Sequence, residues 1–197
     1  VFCNPRGSSG QDTGFARALV GDMGGPDYLD VMAAFDAALE RAPWADRDRL
    51  GVMGGSYGGF MTTWIIGHTT RFKAAISERA VNDWYSMQGA SDIGGTFNRQ
   101  YLGPDATIQD NLEAVLRQSP LTYAKHIETP VLILHSEVDL RCPISQAEQL
   151  FVVLKQRRKD VEFVRFPDED HELSRNGRPS HRVDRFNVIL DYWKRKL

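Results

Sequence analysis

Cysteine is nearly absent: the 197-residue chain has two, Cys3 and Cys142. Lying near the ends of different predicted strands, they are too few for a disulfide framework or a structural zinc site, and no metal or cofactor is expected. No histidine loop is matched to Cys142, so it reads as packing rather than as a nucleophile. An excess of either charge sign is missing too: 24 Lys and Arg against 26 Asp and Glu leave a net charge of −2. That balance argues against nucleic acid or an anionic membrane as the main partner. No apolar run approaches the roughly 18 residues that span a bilayer, and the first residues carry no signal-peptide pattern. Cytoplasmic placement is therefore the default expectation. Repeats and low-complexity tracts are also lacking. What remains is ordinary globular material, 42% hydrophobic and 10% aromatic, enough for one sizeable core.

The most informative stretch runs from Leu50 to Phe60, LGVMGGSYGGF. It reads as a strand, a glycine-packed turn with Ser56 at its apex, and a helix, which is the layout of a nucleophile elbow. A serine Oγ held clear of the backbone at a strand's end needs a sharp turn flanked by residues without clashing side chains. Gly54 and Gly58 are expected to meet that need on either side of Ser56.

A serine hydrolase built on such an elbow takes an acid and then a histidine from later strands, in that order. The apolar run Val131–Ser136, preceded by Pro130, has the composition of a strand buried on both faces of a parallel sheet. It delivers Glu137, Val138 and Asp139 to the sheet's carboxyl edge. The next strand candidate, Val161–Phe166, leads into Asp168-Glu169-Asp170-His171-Glu172. The assignment that follows is Ser56 as nucleophile, His171 as general base and then acid, and Asp139 as the group that orients the imidazole. Glu137 and Asp170 are the second-choice acids. His68, His126, His135 and His181 fall within or beside predicted elements and make poorer bases.

At this point the residues resemble the prolyl oligopeptidase family of serine peptidases, within it most closely the acylaminoacyl-peptidase-like branch. The resemblance runs through nearly the whole chain. It is carried by Asn4-Pro5-Arg6-Gly7-Ser8-Ser9-Gly10, by Asp22-Met23-Gly24-Gly25-Pro26-Asp27-Tyr28, by Gly54-Gly55-Ser56-Tyr57-Gly58-Gly59 and by Ser119-Pro120-Leu121. Further on it is carried by residues 135–143, HSEVDLRCP, and 170–175, DHELSR. The resemblance implies an α/β-hydrolase fold with a doubly wound, mostly parallel sheet. It makes the backbone N–H of Tyr57 an oxyanion-hole donor, as the residue after the nucleophile is in general. It also sets Val81 and Trp84 beside the pocket for the side chain preceding the scissile bond, and gives Arg141 a substrate carbonyl to bind. Core packing is the competing reading for Val81 and Trp84, and a solvated charge for Arg141.

Five strand candidates can be counted: Val1–Asn4, Leu50–Met53, Phe72–Ser77, Val131–Ser136 and Val161–Phe166. The fold usually has about eight, with an oxyanion loop after the third. Residues 1–197 are therefore expected to be the carboxyl-terminal part of one catalytic domain, incomplete in its first strands and lacking the family's amino-terminal β-propeller. The missing part is expected to be a separate chain left by proteolytic nicking. Helices are predicted from Tyr28 to near Pro43, from Pro143 to Lys159, and from His181 to Leu197 with Val183, Phe186, Ile189, Leu190 and Trp193 in the core. Between Trp84 and Pro120 the strand signal is lost, and a mobile insertion over the active site is expected. There Arg99, and nearby Arg79, are candidates for holding a peptide's terminal carboxylate bidentately. Ion pairs with Glu78 or Asp92 are the competing reading for both arginines.

The expected function is hydrolysis of short peptides through an acyl-enzyme, with acylaminoacyl-peptidase specificity first and carboxypeptidase action second. A small-molecule carboxylesterase and an inactive hydrolase-fold binding module are the readings from other classes. The expected partners are short peptides, the amino-terminal remainder of the protein and further copies of itself.

Overall fold

A computed structural model describes residues 1–197. Four strands form one sheet in the order β1-β2-β3-β4: β1 Gly51–Gly55, β2 Ala74–Glu78, β3 Val131–Ser136 and β4 Val161–Phe166. All three pairings are parallel, with Gly55 opposite Glu78, Glu78 opposite Leu134, and Ser136 opposite Phe166. The carboxyl ends of the strands therefore share one edge. Ten helices surround the sheet: α1 Thr13–Arg17, α2 Pro26–Arg41, α3 Tyr57–His68, α4 Trp84–Ala90, α5 Gly94–Phe97, α6 Leu112–Arg117, α7 Pro120–Tyr123, α8 Ser145–Gln156, α9 Leu173–Asn176 and α10 Pro179–Lys196. No helix is long and apolar enough to cross a membrane.

Strand periodicity sorts the core into two layers. Ala75, Val131 and Ile133 pack with Ile66 of α3 and with Ala147, Leu150 and Leu154 of α8. Their neighbours Ala74, Ile76, Leu132 and Leu134 pack on the opposite face with Ile189 and Tyr192 of α10. Both faces of the central strands are thus covered, which is why β2 and β3 are buried at every position.

Two expectations need correction. Val1–Asn4 forms no strand: its backbone has no ladder partner, and Val1 and Phe2 are 85% and 98% exposed. An apolar run becomes a strand only where another strand's N–H and C=O groups meet it, and no strand pairs with β1 on the side away from β2. In α10, Val183, Phe186 and Leu190 face outward, leaving Ile189 buried and Trp193 packed at the core's margin. Arg185 sets this phase, because its guanidinium turns inward to pair with buried Glu78. The stretch from Trp84 to Pro120 holds no strand and is built of short helical turns, α4 to α6 with a π-turn at Asn98–Leu102.

Candidate active site

Ser56 stands between β1 and α3 with φ 60° and ψ −119°, a conformation that a residue other than glycine holds only where its surroundings enforce it. Its N–H donates to the Glu78 carbonyl at 3.0 Å, and its carbonyl accepts from the Phe60 N–H at 2.9 Å. Gly54 is obligatory for this turn, since a Cβ there would lie 2.3 Å from the Gly58 carbonyl oxygen. Gly58 has a different role from the one expected of it. Its own Cβ would meet nothing within 4 Å, and it is the Gly58 backbone that crowds Gly54.

His171, in the loop after β4, has Nε2 2.9 Å from Ser56 Oγ and Nδ1 2.7 Å from Asp139 Oδ2. A carboxylate can only accept, so Nδ1 carries the proton and Nε2 is left to accept from the serine hydroxyl. Asp139 is buried, and its other oxygen, Oδ1, accepts the N–H groups of Arg141 at 2.9 Å and Cys142 at 2.8 Å. The loop after β3 therefore aims Oδ2 at the imidazole. The second-choice acids are engaged elsewhere: Glu137 accepts from Arg165 at 2.9 Å, and Asp170 Oδ1 accepts the Glu172 N–H at 2.8 Å. This arrangement can deprotonate a serine hydroxyl and hold the resulting imidazolium beside a negative charge.

The whole chain, residues 1–197, matches the sequence model of the prolyl oligopeptidase family. The chain belongs to that family. It is 51% identical to the uncharacterized peptidase YuxL of Bacillus subtilis over all of its length, and 34% identical to the acylamino-acid-releasing enzyme of Arabidopsis thaliana over 89% of it. It spans 30% and 24%, respectively, of those relatives' own lengths. Among solved structures, an acylaminoacyl peptidase from Pyrococcus horikoshii superposes with a TM-score of 0.94 at 36% identity, covering 98% of this chain and 31% of that one. The fold is that of the α/β-hydrolases.

A cavity of about 440 Å³ opens at Ser56 and Tyr57. Val81, Trp84 and Arg141 line it, together with Met23, Met87, Ile93, Phe97 and Tyr101. Phe97 stacks on Trp84 with ring centroids 5.1 Å apart, and Tyr101 leans on Phe97 at 4.5 Å. Trp84 is itself fixed, its N–H donating to Ser119 Oγ and its indole Nε1 to the Gln118 carbonyl. The stretch between Trp84 and Pro120 is thereby the aromatic wall of the cavity.

Tyr57 opens α3, so its N–H has no intrahelical acceptor and is free to meet an oxyanion. Its phenol donates to Asp27 Oδ2 at 2.5 Å, and burial pushes both groups' pKa values up. Sequence reasoning noted Asp27 only as part of a motif, because a side-chain partner 30 residues away leaves no local signal. Arg141 lines the cavity but is clamped by Asp92, Nε to Oδ1 at 2.8 Å and Nη2 to Oδ2 at 3.1 Å, which holds the Asp92 carboxyl below its ordinary range. Arg79 and Arg99 do not line the cavity. Arg99 is exposed and lies 3.7 Å from Asp110, whereas Arg79 is half-buried against Glu78 and Ser174.

Proposed function

We propose that this chain is the catalytic part of a serine peptidase that releases an acylated amino acid from the amino end of short peptides. The observation that carries the reading is the hydrogen-bonded series from Asp139 through His171 to Ser56. Ser56 Oγ attacks the scissile carbonyl while His171 Nε2 takes its proton, and the Tyr57 N–H stabilises the oxyanion. His171 then protonates the departing amine, and water, deprotonated by the same nitrogen, releases the acyl group. The stacked Trp84, Phe97 and Tyr101 favour a large apolar side chain on the acyl side of the bond. Arg141 donates to a substrate carbonyl once Asp92 shares it. Amino-terminal sequence of the whole protein adds to the open edge of β1 and supplies the second oxyanion donor.

Carboxypeptidase action fits less well. The two guanidinium groups that line the cavity, Arg6 and Arg141, are each already engaged by a carboxylate, Asp30 and Asp92. The test is mass spectrometry of the products from three matched peptides: one N-acetylated, one with a free amino terminus and one amidated at the carboxyl end. Release of an acetyl amino acid from the blocked peptide alone, abolished by Ser56→Ala, is the expected result. Shortening from the carboxyl end, abolished by amidation, would replace it with the carboxypeptidase reading, and cleavage of an ester with the peptides untouched would make the protein an esterase.

A further inference from the structure

Arg79 follows β2 with φ 38°, the left-handed region that residues other than glycine seldom adopt. Its N–H donates to the Leu134 carbonyl at 2.8 Å, which ties the turn to β3. Its side chain is 11% exposed, with Nη1 donating to Ser174 Oγ at 2.9 Å and lying 3.2 Å from Glu78 Oε1. Glu78 in turn accepts both Nε and Nη2 of Arg185 at 2.5 Å each. One buried carboxylate therefore serves two guanidinium groups, and Arg79 Nε has no partner at all. Drawing a cation largely out of water against a carboxylate it must share carries a desolvation cost, so its location calls for another reason.

That reason is what Arg79 touches. Ser174 lies three residues past His171, in α9. Gly55 immediately precedes Ser56, and a Cβ there would lie 3.1 Å from Arg79 Cζ and Nη2 and 3.3 Å from Nη1. The guanidinium is thus packed flat against the turn that carries the nucleophile while it donates to the segment that carries the base. We propose that Arg79 is a positioning residue, holding the His171 loop in register with the Ser56 elbow. The role rests on the proposed serine-peptidase mechanism and replaces the carboxylate-binding role expected from the sequence. A methyl group at position 55 would press on the guanidinium at 3.1–3.3 Å and shift it by a few tenths of an ångström, which makes that position a probe of the arginine's placement.

The experiment compares Arg79→Ala, Arg79→Lys, Gly55→Ala and the Gly55→Ala/Arg79→Ala double variant in the intact protein, by peptide turnover per folded molecule and by the rate at which a fluorophosphonate labels Ser56. A displacement on the scale of 1 Å at the reacting atoms costs on the order of 100-fold. Arg79→Ala is accordingly expected to lower kcat and the labelling rate roughly 10- to 100-fold with KM nearly unchanged. Arg79→Lys recovers part of the loss, because it keeps the charge and loses the fork. Gly55→Ala lowers kcat in the wild-type background and adds nothing to Arg79→Ala, since nothing is left for the methyl group to displace. Additive losses, or a fall in thermal stability with kcat per folded molecule intact, would overturn the inference and leave Arg79 a structural residue. Wild-type protein in which Ser56 resists labelling would sink the underlying mechanism as well, whereas labelling that is normal in wild type and in Arg79→Ala removes only the positioning role.

Discussion

His135 shows how one buried side chain ties stability to the site. Its Nε2 donates to the Cys142 carbonyl at 2.7 Å and lies 3.6 Å from Asp139 Oδ2, while Nδ1 is buried without a partner. Burial pushes its pKa below the ordinary histidine value, since the surroundings favour the neutral ring. The unfolded chain binds a proton near pH 6.5, whereas the folded one resists until lower pH. Stability from this residue is therefore complete above about pH 6.5 and falls on acidification through the window down to the lowered value, by about 1.4 kcal/mol for each pH unit of that window. His135→Gln, which keeps a donor for the Cys142 carbonyl, is expected to unfold at a temperature less sensitive to pH between about 6.5 and 5 than the wild type. Parallel curves of melting temperature against pH for the two proteins would show that the ring plays no such part. Protonation there would also set a cation beside Asp139 in competition with His171, so acid is expected to weaken the site before it unfolds the chain.

Elements were legible where their causes are local. The strand, turn and helix around Ser56 are written into eleven consecutive residues, and β3 into the apolar run Val131–Leu134 that opens it, so the loops of Ser56, Asp139 and His171 follow from local sequence. The phase of α10 was not legible, because it depends on Arg185 reaching Glu78, 107 positions earlier. A stripe chosen by hydrophobicity selects Val183, Phe186 and Leu190, whereas the ion pair rotates the helix to bury Ile189 and Tyr192. The phenol of Tyr57 on Asp27 and the guanidinium of Arg79 on Ser174 escaped notice for the same reason. Adjacent residues test the point. Ile189→Ala is expected to cost about 2–5 kcal/mol, as deletion of a buried branched side chain does, while Leu190→Ala, 63% exposed, stays within about 0.5 kcal/mol. Urea unfolding distinguishes them, and equal losses would mean that the outward stripe is covered in the folded protein.

At the scale of the whole molecule, the two edges of the sheet differ. β4, the strand at the other edge, carries charge on both faces, with Glu162 paired to Arg195 of α10 and Arg165 to Glu137 and to Glu148 of α8. Charged side chains on an edge strand discourage a further strand. The edge at β1 carries no such guard. It borders an apolar groove lined by Val31, Phe35, Met53, Met61 and Phe72, with Met53 45% exposed. A parallel strand normally has both faces and both neighbours covered, and groups left unpaired at an edge template further pairing. The proposed amino-terminal sequence fits this edge, and adding strands there would bring a loop to the side of Ser56 opposite His171, where the second oxyanion donor is needed. Hydrogen exchange measured on the whole protein tests this directly. Amides of Gly51–Gly55 that point away from β2 are expected to be protected as strongly as those of β2 and β3, because an N–H in a ladder exchanges only when the sheet opens. If they exchange at the rate of exposed loops, β1 is a true edge, the added strands are absent, and the oxyanion is held by the Tyr57 N–H without a backbone partner from that side.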